Sequence, residues 1–318
     1  MTMADQLFWT ADIGGSKILL MLIDGKQSVL FRKRIETPVR PAPGALAELL
    51  KKEISTAENE IILPAGGKVA KMGISMAGFV DFRSGLVHQS PNLEWHSPVP
   101  LADLIAEATG LEILLENDAN AAVIGEVCYG AGRGFKDVIY VTVSTGIGGG
   151  LFLNGKLYRG SSGFAGEIGH VKPFGKNRGC KCGGENCLET WASGSAIACH
   201  GADLLEQGEN GAEIKTAEDV FALADSGNTV AQSIIHFAAD NIGIGLSNLV
   251  NILNPACLVL GGGIAFNRED FMARVSRKVY ENAIRPAVKI TRLKILKAEL
   301  EPEAGIWGMY ALLSGQAD

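Results

Sequence analysis

The chain has 318 residues, 47% of them hydrophobic and 20% charged, which is enough for two domains of ordinary size, each with its own core. Its formal net charge of −6, with no lysine–arginine block, argues against nucleic acid as a partner, since a duplex asks for a basic face. No apolar run reaches the roughly 18 to 20 residues of a membrane helix, and MTMADQLFWTADIGG meets Asp5 before a signal-peptide core forms; the expectation is a soluble cytoplasmic protein without a membrane partner, its thiols reduced.

Residues 7 to 35 predict three short strands, FWTADIG, KILLMLID and SVLFRKRIE, with tight turns at Gly14-Gly15 and Asp24-Gly25. GALAELLKKEISTAENEI has helical spacing at Leu46, Leu49, Leu50 and Ile54. After a glycine pair at Gly66-Gly67, KVAKMGISMAG returns to strand, and LADLIAEATG is a helix closed by Gly110. LEILLEND is a strand that runs into a helix starting near Ala119. In DVIYVTVSTGIGGGLFLNGKLYRG the opening pattern returns: strand, glycine turn, strand, Asn154-Gly155 turn, strand. The repetition predicts a duplicated architecture of α/β layers. AQSIIHFAADNIGIGLSNLVNILN is a long helix that stops before Pro255, CLVLGGGI a buried strand with a glycine turn, and EAGIWGMYALL a closing helix.

Three cysteines fall within GCKCGGENC, and His170 precedes them in the spacing H-x9-C-x-C-x4-C. Three thiolates and one imidazole complete a tetrahedral zinc shell, and Gly179, Gly183 and Gly184 supply the turns that let close-spaced sulfurs converge. The C-x-C step is tighter than usual finger spacing, but an iron–sulfur cluster would want a fourth cysteine nearby, and a reducing compartment disfavours a disulfide. One structural Zn²⁺ bound by His170, Cys180, Cys182 and Cys187 is the resulting expectation. Cys128, Cys199 and Cys257 lie in apolar surroundings and read as buried small hydrophobes.

Other motifs admit two readings each. The glycine turns in ADIGGSK and VSTGIGGG could present N–H groups to phosphates or be ordinary hairpin turns, and Asp12 beside the first adds a carboxylate suited to Mg²⁺. In LLENDANAA, Asn117 and Asp118 stand where a strand gives way to a helix, a common place for ligands, yet Asp118 also suits a helix N-cap, and from the motif alone capping is the better reading. Glu167, His170 and Glu189 flank the cysteine loop, where an imidazole locked by metal between two carboxylates could grip hydroxyl groups.

Taken in order, DIGGSK from residue 12, GISMAG, ENDANAA, STGIGGG, GEIGH, CKCGGENCLE, LGGGI and the EAGIWG helix resemble the ROK family of repressors, open reading frames and sugar kinases, over nearly the whole chain. The resemblance implies an α/β protein of the actin-like ATPase (ribonuclease H-like) fold, with two α/β domains around a central cleft and the last helix returning to the first domain. The expected division is a small domain of residues 1–119 plus 303–318 and a large domain of 120–302 carrying the zinc loop.

The implied activity is phosphorylation of a hexose at its 6-hydroxyl by ATP with Mg²⁺, glucose first, with N-acetylmannosamine, N-acetylglucosamine, fructose, allose and β-glucosides as alternatives. By the same resemblance Asp118 is the general base, Asn117, Glu167, His170 and Glu189 bind sugar, and Gly78, Ser90 and Asn92 add contacts. Asp12, Gly14, Gly15, Ser16, Lys17, Thr145, Gly146, Gly148 and Gly149 would face the phosphates, and Gly261, Gly262 and Gly263 the adenosine side. Ser16 stands where the family usually has threonine, and Met76-Ala77 where relatives are often more polar or proline-bearing. A homodimer or homotetramer is the implied assembly. Family repressors carry a winged-helix segment ahead of the first glycine turn; 11 residues precede Asp12 here, which favours the kinase.

Overall fold

A computed structural model describes residues 6–61, 69–173, 178–205 and 213–316; Gly66-Gly67 lies outside them. The elements in chain order are β1 (Leu7–Ile13), β2 (Lys17–Asp24), β3 (Val29–Glu36), α1 (Pro43–Glu60), β4 (Val69–Met76), β5 (Phe79–Asp81), β6 (Leu86–Gln89), α2 (Leu101–Thr109), β7 (Glu112–Asn117) and α3 (Asp118–Tyr129). Then come β8 (Val138–Val143), β9 (Ile147–Leu153), β10 (Lys156–Leu157), α4 (Glu189–Ala192), α5 (Gly194–Leu205), α6 (Ala217–Asp225) and α7 (Thr229–Leu253). The chain continues through β11 (Cys257–Gly261), α8 (Gly263–Asn267), α9 (Glu269–Asn282), α10 (Arg285–Lys289) and β12 (Lys294–Lys297) to α11 (Ala304–Leu313).

Packing divides the chain into two units. The first comprises Met1–Gly134, Lys156–Ala165 and Pro302–Asp318, and the second Phe135–Gly155 and Gly166–Glu301. The division differs from the boundary expected at 119/120, because α3 packs along α11 within the first unit. Glycines allow the approach: a Cβ on Gly308 would lie 1.7 Å from the carbonyl oxygen of Ala121, and one on Gly125 2.3 Å from that of Ala304.

In the first unit the sheet order is β3–β2–β1–β4–β7. β1 pairs antiparallel with β2 and parallel with β4, and β4 is parallel to β7. Leu46, Leu50, Ile54 and Ala57 form the buried stripe of α1, which shares a core with Trp9, Leu20 and Ile74 of the sheet. α2 ends at Gly110 in the left-handed conformation, φ 74°. The β2–β3 connection is wider than the Asp-Gly turn expected from sequence. Asp24 Oδ1 accepts from the N–H groups of Lys26 and Ser28, at 2.9 and 2.8 Å, and the left-handed residue is Gln27, φ 69°.

The second unit repeats the scheme. The second sheet runs β10–β9–β8–β11–β12, with β8 antiparallel to β9 and parallel to β11, and β11 parallel to β12. β11 is buried at all five residues, as a parallel strand covered on both faces should be. Here Asn154-Gly155 does make the expected turn, with both residues left-handed, φ 54° and 76°. The duplication read from the glycine hairpins is therefore real at the level of strand order.

Candidate functional site

In the first unit, Asp12 near the end of β1 accepts a 2.6 Å hydrogen bond from Ser75 Oγ of β4. The turn after β1 is closed by the Gly14 N–H donating to Lys17 O at 3.0 Å, so this N–H is already engaged, and Gly15 and Ser16 are exposed. A Cβ on Gly15 would sit 3.0 Å from Asn92 Cβ, which brings the turn and the exposed Asn92 together. Gly78 must be glycine: its φ is 142°, and a Cβ there would meet Gln89 O at 2.6 Å. Asn117 Nδ2 donates to Gly78 O at 3.2 Å, joining β7 to this turn. Ser90 is fully buried and its hydroxyl donates to Ala77 O at 3.0 Å, bracing the Gly78 turn from inside.

The capping question at the β7–α3 junction resolves in favour of Asn117. With extended backbone (φ −64°, ψ 145°), its Oδ1 accepts from the N–H groups of Ala119 and Asn120. Asp118 is then the first helical residue, half-buried, with Oδ1 accepting from the Ala119 N–H at 2.9 Å. Beside this junction Phe79, His88, Gln89, His96, Pro98 and Phe164 line an open cavity of about 380 Å³. Met76 takes no part in such a wall, being wholly within the core.

In the second unit the glycine turn between β8 and β9 is interlocked with two other motifs. Glu189 Oε2 accepts from the Ile147 N–H at 2.9 Å, and a Cβ on Gly146 would lie 2.5 Å from that oxygen. The Gly194 N–H donates to Ser144 O and the Ser195 N–H to Thr145 O, at 2.7 and 3.2 Å. Gly148 lies in β9 beside Gly149, where a Cβ would collide with Ile168 and with Gly166 O, so GEIGH is seated against the strand. Gly262, at φ 85°, fits against Thr142 and Val143 of β8, and its N–H donates to Glu301 Oε1, with Gly261 and Gly263 on either side. The second unit thus gathers Thr145, Gly146, Gly148, Gly149, Glu167, His170, Glu189 and the 261–263 turn around the ends of two strands.

The cysteine loop brings all four expected ligands together. One donor atom from each of His170, Cys180, Cys182 and Cys187 lies within 4.8 Å of the others. Cys182 and Cys187 Sγ are 3.7 Å apart, and Cys180 Sγ is 3.8 Å from His170 Nδ1. A tetrahedral zinc with bonds of ~2.3 Å spaces its sulfur ligands by about 3.8 Å, so the donors fit that ion. The Gly184 N–H holds the Cys182 thiol below its ordinary pKa, whereas burial pushes Cys187 up to about 12. A divalent cation relieves that conflict by displacing the thiol protons. His170 turns its other nitrogen, Nε2, toward Glu167 Oε2 at 3.6 Å. Of the other cysteines only Cys257 is buried as expected; Cys128 is half-buried, and Cys199 is exposed beside Arg178, whose Nη2 is 3.3 Å from its sulfur.

Sequence reading missed several residues. Glu116 is buried and paired with Arg159 at 2.7 Å, and Tyr140 hydrogen-bonds Glu301 at 2.5 Å beneath the Gly261–Gly262 turn. Glu116 left a readable signal, a carboxylate ending the apolar run LEILL immediately before the ND pair. Arg159, 43 residues away, left none.

Two units with one strand order, each opening on a hairpin with a glycine-containing turn, define the actin-like ATPase fold. The ROK family model matches residues 9–316, and the chain belongs to that family. A glucokinase of Halalkalibacterium halodurans is 32% identical over 279 residues, 83% of this chain and 82% of its own. The xylose repressor of Caldicellulosiruptor bescii is 32% identical over 84% of this chain and 67% of its own, and an N-acetylmannosamine kinase of Escherichia coli 31% identical over 96% and 97%. The crystal structure of a ROK family glucokinase from Streptomyces griseus in complex with glucose and AMPPNP superposes with a TM-score of 0.77, at 31% identity, over 96% of this chain and 98% of that one. No helix among the described residues is long and apolar enough to cross a membrane.

Proposed function

We infer that this chain, an ATP-dependent sugar kinase of the ROK family, transfers a phosphoryl group to the 6-hydroxyl of glucose. The observation that carries the assignment of roles is the helix start. Because Asn117 serves as the cap, Asp118 has no need to be one, and it stands as a half-buried carboxylate at a strand–helix junction. ATP with Mg²⁺ supplies the phosphoryl group and neutralises its charge. Asp12 is the carboxylate suited to the metal ion, and Lys17 is exposed at the start of β2. Gly15, Ser16 and the 145–149 turn are the segments assigned to the phosphates, and the turn of Gly261, Gly262 and Gly263 to the adenosine.

In this reading Asp118 accepts the proton of the 6-hydroxyl as its oxygen attacks, a role worth ~10² to 10⁴ in rate. Asn92, Asn117, Glu167, His170 and Glu189 hold the remaining hydroxyls. Zinc on His170 Nδ1 and the three sulfurs would fix the imidazole, so that Nε2 keeps its place beside Glu167. Six polar side chains for one unsubstituted pyranose favour glucose, and the burial of Met76 removes one apolar group that an N-acetyl substituent could use. The same reading expects a cytoplasmic homodimer or homotetramer.

A second reading, a kinase for N-acetylmannosamine or N-acetylglucosamine, is favoured by the cavity beside Gly78, where Phe79, His88 and Phe164 pack ring against ring at 5.7 to 5.9 Å. The deciding experiment is kcat/KM for the three sugars side by side, with fructose, allose and a β-glucoside included. A preference of tenfold or more for an acetylated sugar, ~1.4 kcal/mol in transition-state binding, would replace glucose. Sugar binding with no ATP-dependent turnover on any member of the panel would instead support a sensor like the similar repressor.

A further inference from the structure

Glu116 lies at the end of β7, one residue before the Asn117–Asp118 pair, with its side chain 3% exposed. Its carboxylate takes three donors. Oε1 accepts from the backbone N–H of Asn117 and from Nδ2 of Asn120, both at 3.0 Å, and Oε2 accepts from Arg159 Nε at 2.7 Å. The Arg159 guanidinium also lies over the Phe82 ring, 4.2 Å from its centre. Arg159 arrives on Lys156–Ala165, the short segment that packs with the first unit although its sequence neighbours on both sides belong to the second.

Each bond has a definite consequence. A buried carboxylate without a countercharge is strongly disfavoured, and Arg159 supplies that charge. The Asn117 N–H bonded to the preceding side chain helps hold Asn117 in the extended conformation from which it caps α3. Asn120, two residues beyond Asp118, is buried, and its Oδ1 has no hydrogen-bond partner among the described residues. Its orientation therefore depends on the Nδ2–Glu116 bond. Asp118 is bracketed by two groups, one before it and one after, that share a single carboxylate oxygen.

We propose that Arg159 is a positioning residue for phosphoryl transfer, acting through Glu116 and the Asn117–Asn120 bracket to hold the Asp118 carboxylate in place. The inference rests on the reading of Asp118 as the base. Misplacing a reacting group by about 1 Å can cost ~10²-fold in rate, so a loosened bracket should register in kcat.

The test is a double-mutant cycle. Arg159→Met keeps the aliphatic packing and removes the charge; Arg159→Lys keeps the charge and loses the planar fork. The expected results are a kcat about tenfold or more below the parent for Arg159→Met, with sugar KM within about threefold, and partial recovery in Arg159→Lys. In an Asp118→Asn background, Arg159→Met should cost less than about twofold, because it acts through a group already removed. An Arg159→Met enzyme within about twofold of the parent, or an equal loss in both backgrounds, overturns the proposal. If Arg159→Met does not fold, the same cycle is read with Arg159→Lys. Should Asp118→Asn alone retain near-normal turnover, the base assignment falls and this inference with it; an inactive Asp118→Asn beside an active Arg159→Met removes this inference alone.

Discussion

With Asp118 as the proposed base, its replacement by asparagine tests catalysis apart from helix capping, because the cap rests on Asn117. The cap is Asn117 Oδ1, bonded to the Ala119 and Asn120 N–H groups at 3.0 and 3.1 Å, and it survives the change. Asp118 Oδ1 accepts from the Ala119 N–H at 2.9 Å, and an asparagine oxygen can do the same. What is lost is a negative charge in the first turn of α3, worth ~0.3 to 1 kcal/mol against the helix dipole. The melting temperature should therefore fall by no more than a few degrees, at ~2 to 4 °C per kcal/mol. Loss of the base, by contrast, should lower kcat by at least ~10²-fold, ~2.7 kcal/mol or more in the barrier. Asn117→Ala should show a different balance, a stability loss of ~1 kcal/mol from the missing cap. An ATP-coupled assay with glucose gives kcat, calorimetry gives the melting temperature, and titration gives the sugar Kd. Near-normal turnover together with a clear loss of stability in Asp118→Asn would refute the reasoning and return Asp118 to the role of a cap.

Freshly purified protein should contain about one zinc per chain by metal analysis, and Cys180→Ser should lose the ion and weaken glucose binding; active protein free of zinc would refute the assignment. Gly308→Ala forces a Cβ to within 1.7 Å of the Ala121 carbonyl oxygen, so α3 and α11 must separate. Overpacking of that kind costs ~1 to 3 kcal/mol or more, and an unchanged melting temperature would contradict the close approach. Glu189→Ala removes the acceptor for the Ile147 N–H, and loss of a hydrogen bond to a charged group should cost ~1.5 to 3 kcal/mol of stability, so an unchanged melting temperature would contradict that bond.

Local patterns made much of the fold legible. Apolar runs broken by glycine placed the strands, the spacing of Leu46, Leu50 and Ile54 placed α1, and two hairpins with glycine turns exposed the duplication. The failures share a cause, competition that only the three-dimensional chain decides. At Asp24 the side chain captured two N–H groups and widened a turn that the residue pair alone would have made tight. At Asn117-Asp118 two good capping residues stand side by side, and the extended backbone at 117 selects the first. The cluster of His170, Cys180, Cys182 and Cys187 was readable because these four donors fall within 18 residues, 170 to 187, whereas Glu116 and Arg159 meet across 43. The division between units moved because helix-to-helix packing through glycine leaves no periodic mark.

The first unit is discontinuous in the chain, assembled from three stretches that end with Pro302–Asp318, whereas the second lies wholly between residues 135 and 301. Synthesis from the N-terminus therefore inverts the order of completion. The later-starting unit has all its residues first, while the earlier one waits for α11. A nascent chain stopped at residue 301 would already contain every described strand of both sheets, yet the face of α3 around Ala121 and Gly125 would lack the helix that covers it. That surface is where a ribosome-stalled or C-terminally shortened product would be vulnerable to proteases and to aggregation.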